Sequence, residues 1–153
     1  MTNLYIMVGP PGCGKSTYIS EHMDLTNDRW ISRDQIRFNT LKTNDDYFKR
    51  EKEVYREYVQ RIQANLDEGY NVWADATHLN ERSRMKLLNN LNLTGINVTF
   101  IQFQIPLEVC LERNAHRTGR ACVPKKELKK MFQRQTDVSK DKSHFYKVFT
   151  VRG

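Results

Sequence analysis

The chain has 153 residues, 39% apolar and 28% charged, enough for one substantial hydrophobic core and too few for a second complete domain, so a single domain over residues 1–153 is expected. No apolar run approaches the roughly 20 residues of a membrane span, and the three cysteines, Cys13, Cys110 and Cys122, lack the spacing of a disulfide framework or a metal site, which points to reduced thiols. The net charge of +7 is uneven: residues 1–105 hold 13 Lys/Arg against 13 Asp/Glu and residues 106–153 hold 12 against 5, which fits either a polyanionic partner or a solvated basic surface.

The first apolar run, LYIMV at residues 4–8, is too short for a signal peptide and has no basic leader, so it reads as a buried strand and the protein is expected in the cytoplasm. It leads into residues 9–17, GPPGCGKST, which fit G-x-x-x-x-G-K-[ST] with Gly9, Gly14, Lys15 and Ser16 in register. Gly9, Gly12 and Gly14 let the backbone close into a nest whose N–H groups converge on phosphate oxygens, and the helix that follows adds its positive end. Lys15 is suited to the β- and γ-phosphates of a nucleoside triphosphate, Ser16 to the shell of a magnesium ion, and Thr17 to the same helix turn. Cys13 contributes its amide to the loop; its thiol reads as a small filler, with activation by the surrounding amides as the other reading.

A helix is expected over residues 16–23, then a second strand at residues 30–32, followed by Arg33, Asp34 and Arg37. Residues 39–46 are polar and turn-like. A long helix over residues 47–66 carries Tyr55, Tyr58, Val59, Ile62 and Leu66 on one face and mixed charges on the other. The third strand, residues 71–74, ends at Asp75; Asn80 can cap a helix over residues 81–91. The run at residues 98–105 suits a strand buried on both sides, and Pro106 opens a helix with Leu107, Cys110 and Leu111 inward. Residues 118–123 break that helix, Pro124 starts another reaching residue 138, and residues 145–151 form a fifth strand. This alternation implies a three-layer α/β fold with a mostly parallel five-stranded sheet.

In such a sheet reacting groups collect outside the carboxyl ends of the strands. Asp34 is therefore the candidate general base for an acceptor hydroxyl, with Arg37 one turn along to hold an anionic part of the acceptor; a helix cap before Gln35 is the other reading. Asp75 suits magnesium or the acceptor, or else serves as a turn carboxylate. Arg113, Arg117 and Arg120 form either an arginine-bearing lid over residues 113–123, with Gly119 supplying flexibility, or a solvated basic helix end. His78 and His116 are expected at the surface.

Taken together, GPPGCGKST, ISRDQIR, WADATHLNERSR and RNAHRTGRACVPKKELKKMF resemble, in the same order and over most of the chain, the kinase domain of the bacteriophage-type polynucleotide 5′-hydroxyl kinases. The resemblance implies a P-loop kinase fold that uses ATP and magnesium, with a 5′-hydroxyl DNA or RNA end as acceptor. It implies that Lys15 and Ser16 bind ATP and magnesium, that Asp34 is the base and that Arg37 engages the acceptor's 3′-phosphate. Arg117, with Arg120 as a second candidate, corresponds to the lid arginine on the donor phosphates. The loop from Asp75 to His78 differs by one residue from the phage pattern, and Asp75 is its carboxylate. The phage enzyme's phosphatase domain has no counterpart here, so no 3′-phosphatase activity is expected.

Overall fold

The computed structural model describes residues 1–41, 50–119, 122–142 and 146–153. Strands and helices alternate along it: β1 (Thr2–Val8), α1 (Lys15–His22), β2 (Asp28–Ser32), α2 (Arg33–Thr40), α3 (Glu51–Asp67), β3 (Asn71–Asp75), α4 (Glu81–Asn89), β4 (Ile96–Gln104), α5 (Leu107–Ala115), α6 (Lys125–Arg134), a 3-10 turn (Val138–Lys140) and β5 (Lys147–Arg152). The strands form one sheet in the order β2-β3-β1-β4-β5. Every pair is parallel, so the sheet expected to be mostly parallel is wholly so.

Alternating side chains divide the core into two layers, one on each face of the sheet. Leu4, Ile6, Val8, Val72, Ala74, Val98 and Phe100 face α3 and α4, against Val54, Tyr58, Ile62, Leu66 and Leu87. Met7, Trp73, Ile101 and Phe103 face the other way, against Ile19 of α1, Cys110 of α5 and Leu128 of α6. The central strand β1 and its neighbour β4 are thus buried on both sides, and the phosphate loop between β1 and α1 sits at the middle of the carboxyl edge. Among the described residues no helix is long and apolar enough to cross a membrane.

Several elements differ from expectation. Residues 39–40 are helical, because α2 starts early: the Ser32 hydroxyl accepts the Gln35 amide at 3.2 Å and caps it. Asp34 therefore lies in the first turn of α2 and is not its cap. The long helix starts at Glu51 in the described residues, and residues 47–49, where it was expected to begin, lie outside them; so does Phe145, the expected start of β5. Helix α6 ends at Arg134 rather than near residue 138. Gln135 turns to extended backbone and donates to the Phe103 carbonyl at 2.9 Å, while buried Gln102 accepts the Val138 amide at 2.7 Å, and these sheet contacts replace a further helical turn. In α5 the buried residues are Cys110 and Asn114, with Leu107 and Leu111 only half-buried.

The chain after α6 is locked by a buried ion pair. Arg84 of α4, fully buried, donates twice to Asp141 at 2.7 Å, to Thr136 Oγ1 at 2.8 Å and to the His78 carbonyl at 3.0 Å. Four of the five N–H donors of the guanidinium are engaged in these bonds, in keeping with the pairing that burial of a charge requires.

Candidate active site

The phosphate loop has the backbone that its sequence demands. Gly12 and Gly14 have φ of 82° and 102°, the left-handed region open to glycine, and a Cβ on Gly12 would lie 2.7 Å from the Cys110 carbonyl. Gly14 starts α1 by accepting the Tyr18 amide at 3.0 Å, leaving the earlier amides of the turn for a ligand. Lys15 folds back, its ammonium donating to the carbonyls of Gly9 and Pro10. Ser16 and Thr17 are exposed at the same helix end. Cys13 is buried and burial pushes its thiol up, as it does that of Cys110, to about 11. The filler reading of Cys13 holds and the activated thiol does not.

The loop is braced from the side by the β3–α4 connection. The Gly9 amide donates to the Thr77 carbonyl at 2.9 Å. The His78 ring places Nδ1 2.6 Å from the Met7 carbonyl and Nε2 3.1 Å from the Tyr58 hydroxyl. A carbonyl only accepts, so Nδ1 carries the proton and Nε2 accepts from Tyr58. His78 is therefore a buried, neutral strut and not the surface residue expected from its polar loop; burial pushes its pKa down to about 3. His116 is exposed, as expected.

Asp34 and Arg37 project from α2 beside this loop. The Arg37 guanidinium, nearly buried, contacts Asp34 Oδ1 and donates to Glu51 at 2.6 Å (Nη2 to Oε1) and 3.1 Å (Nε to Oε2). Arg33 donates to the same Glu51 carboxylate at 2.6 Å. Burial pushes the Glu51 carboxyl up, and the Arg37 and Arg33 guanidiniums outweigh it and hold it below its ordinary value. Glu51 is the residue that sequence reasoning missed. It begins α3, next to a face read as solvated, and only the packing of α3 on α2 shows its partners.

Asp75, at the tip of β3, is buried and its Oδ2 accepts the Trp30 indole N–H at 3.0 Å. Burial raises its carboxyl pKa against the pull of the Lys15 ammonium. Arg113 and half-buried Arg117 lie across the loop, where Arg113 Nη1 would be 3.1 Å from a Cβ on Gly14. Asn114 staples the two ends of this segment, donating to the Val123 carbonyl at 2.6 Å and accepting its amide at 2.9 Å. Arg120 lies outside the described residues.

One cleft of about 1230 Å³ joins these groups, lined by Lys15, Ser16, Thr17, Asp34, Arg37, Glu51, Asp75 and Arg117 among others. It exceeds the roughly 300–1,000 Å³ of a pocket for one small molecule. The loop at its centre meets the demands of a triphosphate: a glycine nest that a side chain would block, a helix N-terminus and a lysine.

The chain matches the model of the AAA domain family over residues 4–138. It belongs to that family. This AAA domain is 26% identical over 114 residues to the transcription factor bHLH140 of Arabidopsis thaliana, a match that covers 74% of the chain and 11% of that protein. A chain of the Pnkp1/Rnl/Hen1 RNA repair complex superposes with a TM-score of 0.73 at 26% identity, covering 87% of this chain and 43% of that one. A sugar kinase from Janibacter sp. HTCC2649 superposes with a TM-score of 0.71 at 17% identity, covering 99% and 86%, which speaks for the fold alone. The chain thus spans 11% of the length of the first of these proteins and 43% of the second. Sheet order and loop together are those of a P-loop kinase, and the family and the complete loop carry ATP binding.

Proposed function

We propose that this AAA domain transfers the γ-phosphate of ATP to the 5′-hydroxyl end of a DNA or RNA strand. The observation that carries the reading is Asp34, oriented by Arg37 and opening on the same cleft as the phosphate loop. Gly9, Gly12, Cys13 and Gly14 supply the backbone of the cradle and Lys15 its cation. Ser16 would hold a magnesium ion, which would supply neutralisation of charge on the transferring group; few protein ligands are needed for such an ion. Asp34 takes the proton of the 5′-hydroxyl as that oxygen bonds to the γ-phosphorus and the bond from phosphorus to the bridging oxygen of ADP breaks. Arg37 and Asp75 hold the acceptor. Arg117 and Arg120 neutralise the transferring group from the lid side. The similarity to a chain of an RNA repair complex supports a nucleic-acid acceptor.

A second reading, a small-metabolite kinase, is favoured by the state of Arg37: a guanidinium already held by two carboxylates offers less to an acceptor phosphate. Acceptors assayed side by side with labelled ATP separate the two. Labelled 5′-hydroxyl DNA, RNA or nucleoside 3′-monophosphate, with transfer to the strands weakened by salt and by loss of Lys126, Lys129 and Lys130, is the expected result. Label on a sugar or antibiotic with none on any nucleic acid would overturn the proposal.

A further inference from the structure

Among the described residues four large apolar side chains are exposed, Met1, Leu25, Trp30 and Phe149, and of these Trp30 alone lines the cleft. Its neighbour in register, Trp73, is buried, with its indole N–H on Asp28 at 2.9 Å. Trp30 instead keeps 37% of its surface exposed while its N–H is fixed on Asp75 at 3.0 Å. The ring is thus anchored by its polar edge to a buried carboxylate, and apolar ring surface remains exposed in a cleft that also contains charged groups. An aromatic side chain offered in this way is pre-organised for stacking, with little rotamer entropy left to lose.

Its position says which ligand it meets. Trp30 is on β2, two strands from β1 and so about 10 Å to one side of the phosphate loop. Asp34 and Arg37 follow on the same side, four and seven residues later. The segment with Arg113 and Arg117 follows β4, across β1 from it. Trp30 therefore lies on the flank of the sheet from which Asp34 follows; its ring, in register with Trp73, projects to the face that carries α1, and its N–H meets Asp75, the second residue proposed to hold the acceptor.

Resting on the polynucleotide kinase reading, we propose that Trp30 is a specificity residue: its indole stacks on the nucleobase of the acceptor's 5′-terminal nucleotide. A base has a π-face whatever its identity, so such a platform favours nucleotides over sugars without selecting sequence.

The test pairs removal of the ring with removal of the base. The acceptors are a 5′-hydroxyl oligonucleotide and the same strand with an abasic 5′-terminal residue; the proteins are wild type, Trp30→Ala and Trp30→Phe, each checked for an unchanged KM for ATP. In wild type, loss of the base is expected to raise the acceptor KM roughly 5- to 150-fold, the worth of one base–aromatic stack, with kcat changed far less. In Trp30→Ala the normal strand should already show that KM, and loss of the base should add nothing. Trp30→Phe should keep most of the base dependence although it cannot donate to Asp75. If Trp30→Ala responds to base removal as wild type does, or if Trp30→Phe is as poor as Trp30→Ala, the stacking role is wrong while the kinase reading stands. No transfer by wild type to either strand would overturn both.

Discussion

The two flanks of the phosphate loop are built on opposite electrostatic plans. On the α2–α3 side Arg33, Arg37, Asp34 and Glu51 neutralise one another within the fold. On the α5–α6 side Arg113 and Arg117 have no ion-pair partner among the described residues, and Asn114 ties the segment together through the Val123 backbone. The first arrangement holds a carboxylate in place before any ligand arrives; the second leaves cations that a phosphate chain can satisfy. On this account α2–α3 residues contribute to stability and activity together, whereas lid arginines contribute to activity alone.

Arg117→Ala tests that division most severely. A guanidinium that neutralises transferring phosphate is worth about 10³-fold or more in kcat, yet urea unfolding of the variant should stay within about 0.5 kcal/mol of wild type. Equal loss of stability would show that the lid arginine is part of the fold. A second change falls on the strut beneath the loop. His78 has a folded pKa of about 3 against an unfolded value near 6.5, so the unfolded chain binds the extra proton. Its contribution is complete above pH 6.5 and is lost as pH falls from there toward 3, roughly 3 kcal/mol of it by pH 4. Unfolding curves across that range should show the loss in wild type and a flatter profile in His78→Asn.

Arg37→Ala should cost roughly 2 kcal/mol of stability, a figure discounted from a fully buried pair because Glu51 and Asp34 are 28% and 46% exposed. It should lower activity as well, so that stability and activity fall together, whereas the lid variant loses activity alone. Glu51→Gln is the mildest, about 1 kcal/mol. The Glu51 pKa is depressed, so that contribution is present above the ordinary carboxylate range and is lost as pH falls through it; the gap between wild type and Glu51→Gln should close in acid.

What could be read in the chain without coordinates follows from how local each feature is. The phosphate loop is one contiguous stretch whose glycines answer a local backbone need, and α1, β3 and the Asn80 cap came out within a residue or two of their expected ends. The sheet follows from alternation. Asp34 was legible as a candidate because it lies just beyond a strand tip. Glu51 was not, since its meaning depends on α3 packing against α2 across 14 residues of chain from Arg37. His78 looks like surface from its polar neighbours, and the Met7 carbonyl, 71 residues away, with the Tyr58 hydroxyl, 20 residues away, makes it a strut. The short end of α6 belongs to the same class: Gln102 and the Phe103 carbonyl, on a distant strand, compete for its last residues and win.

The most direct test of the account separates binding from transfer at Asp34. Asp34→Ala should bind ATP with wild-type affinity by calorimetry while transfer to a 5′-hydroxyl oligonucleotide falls about 10²- to 10⁴-fold. Transfer at the wild-type rate in that variant would contradict the central claim.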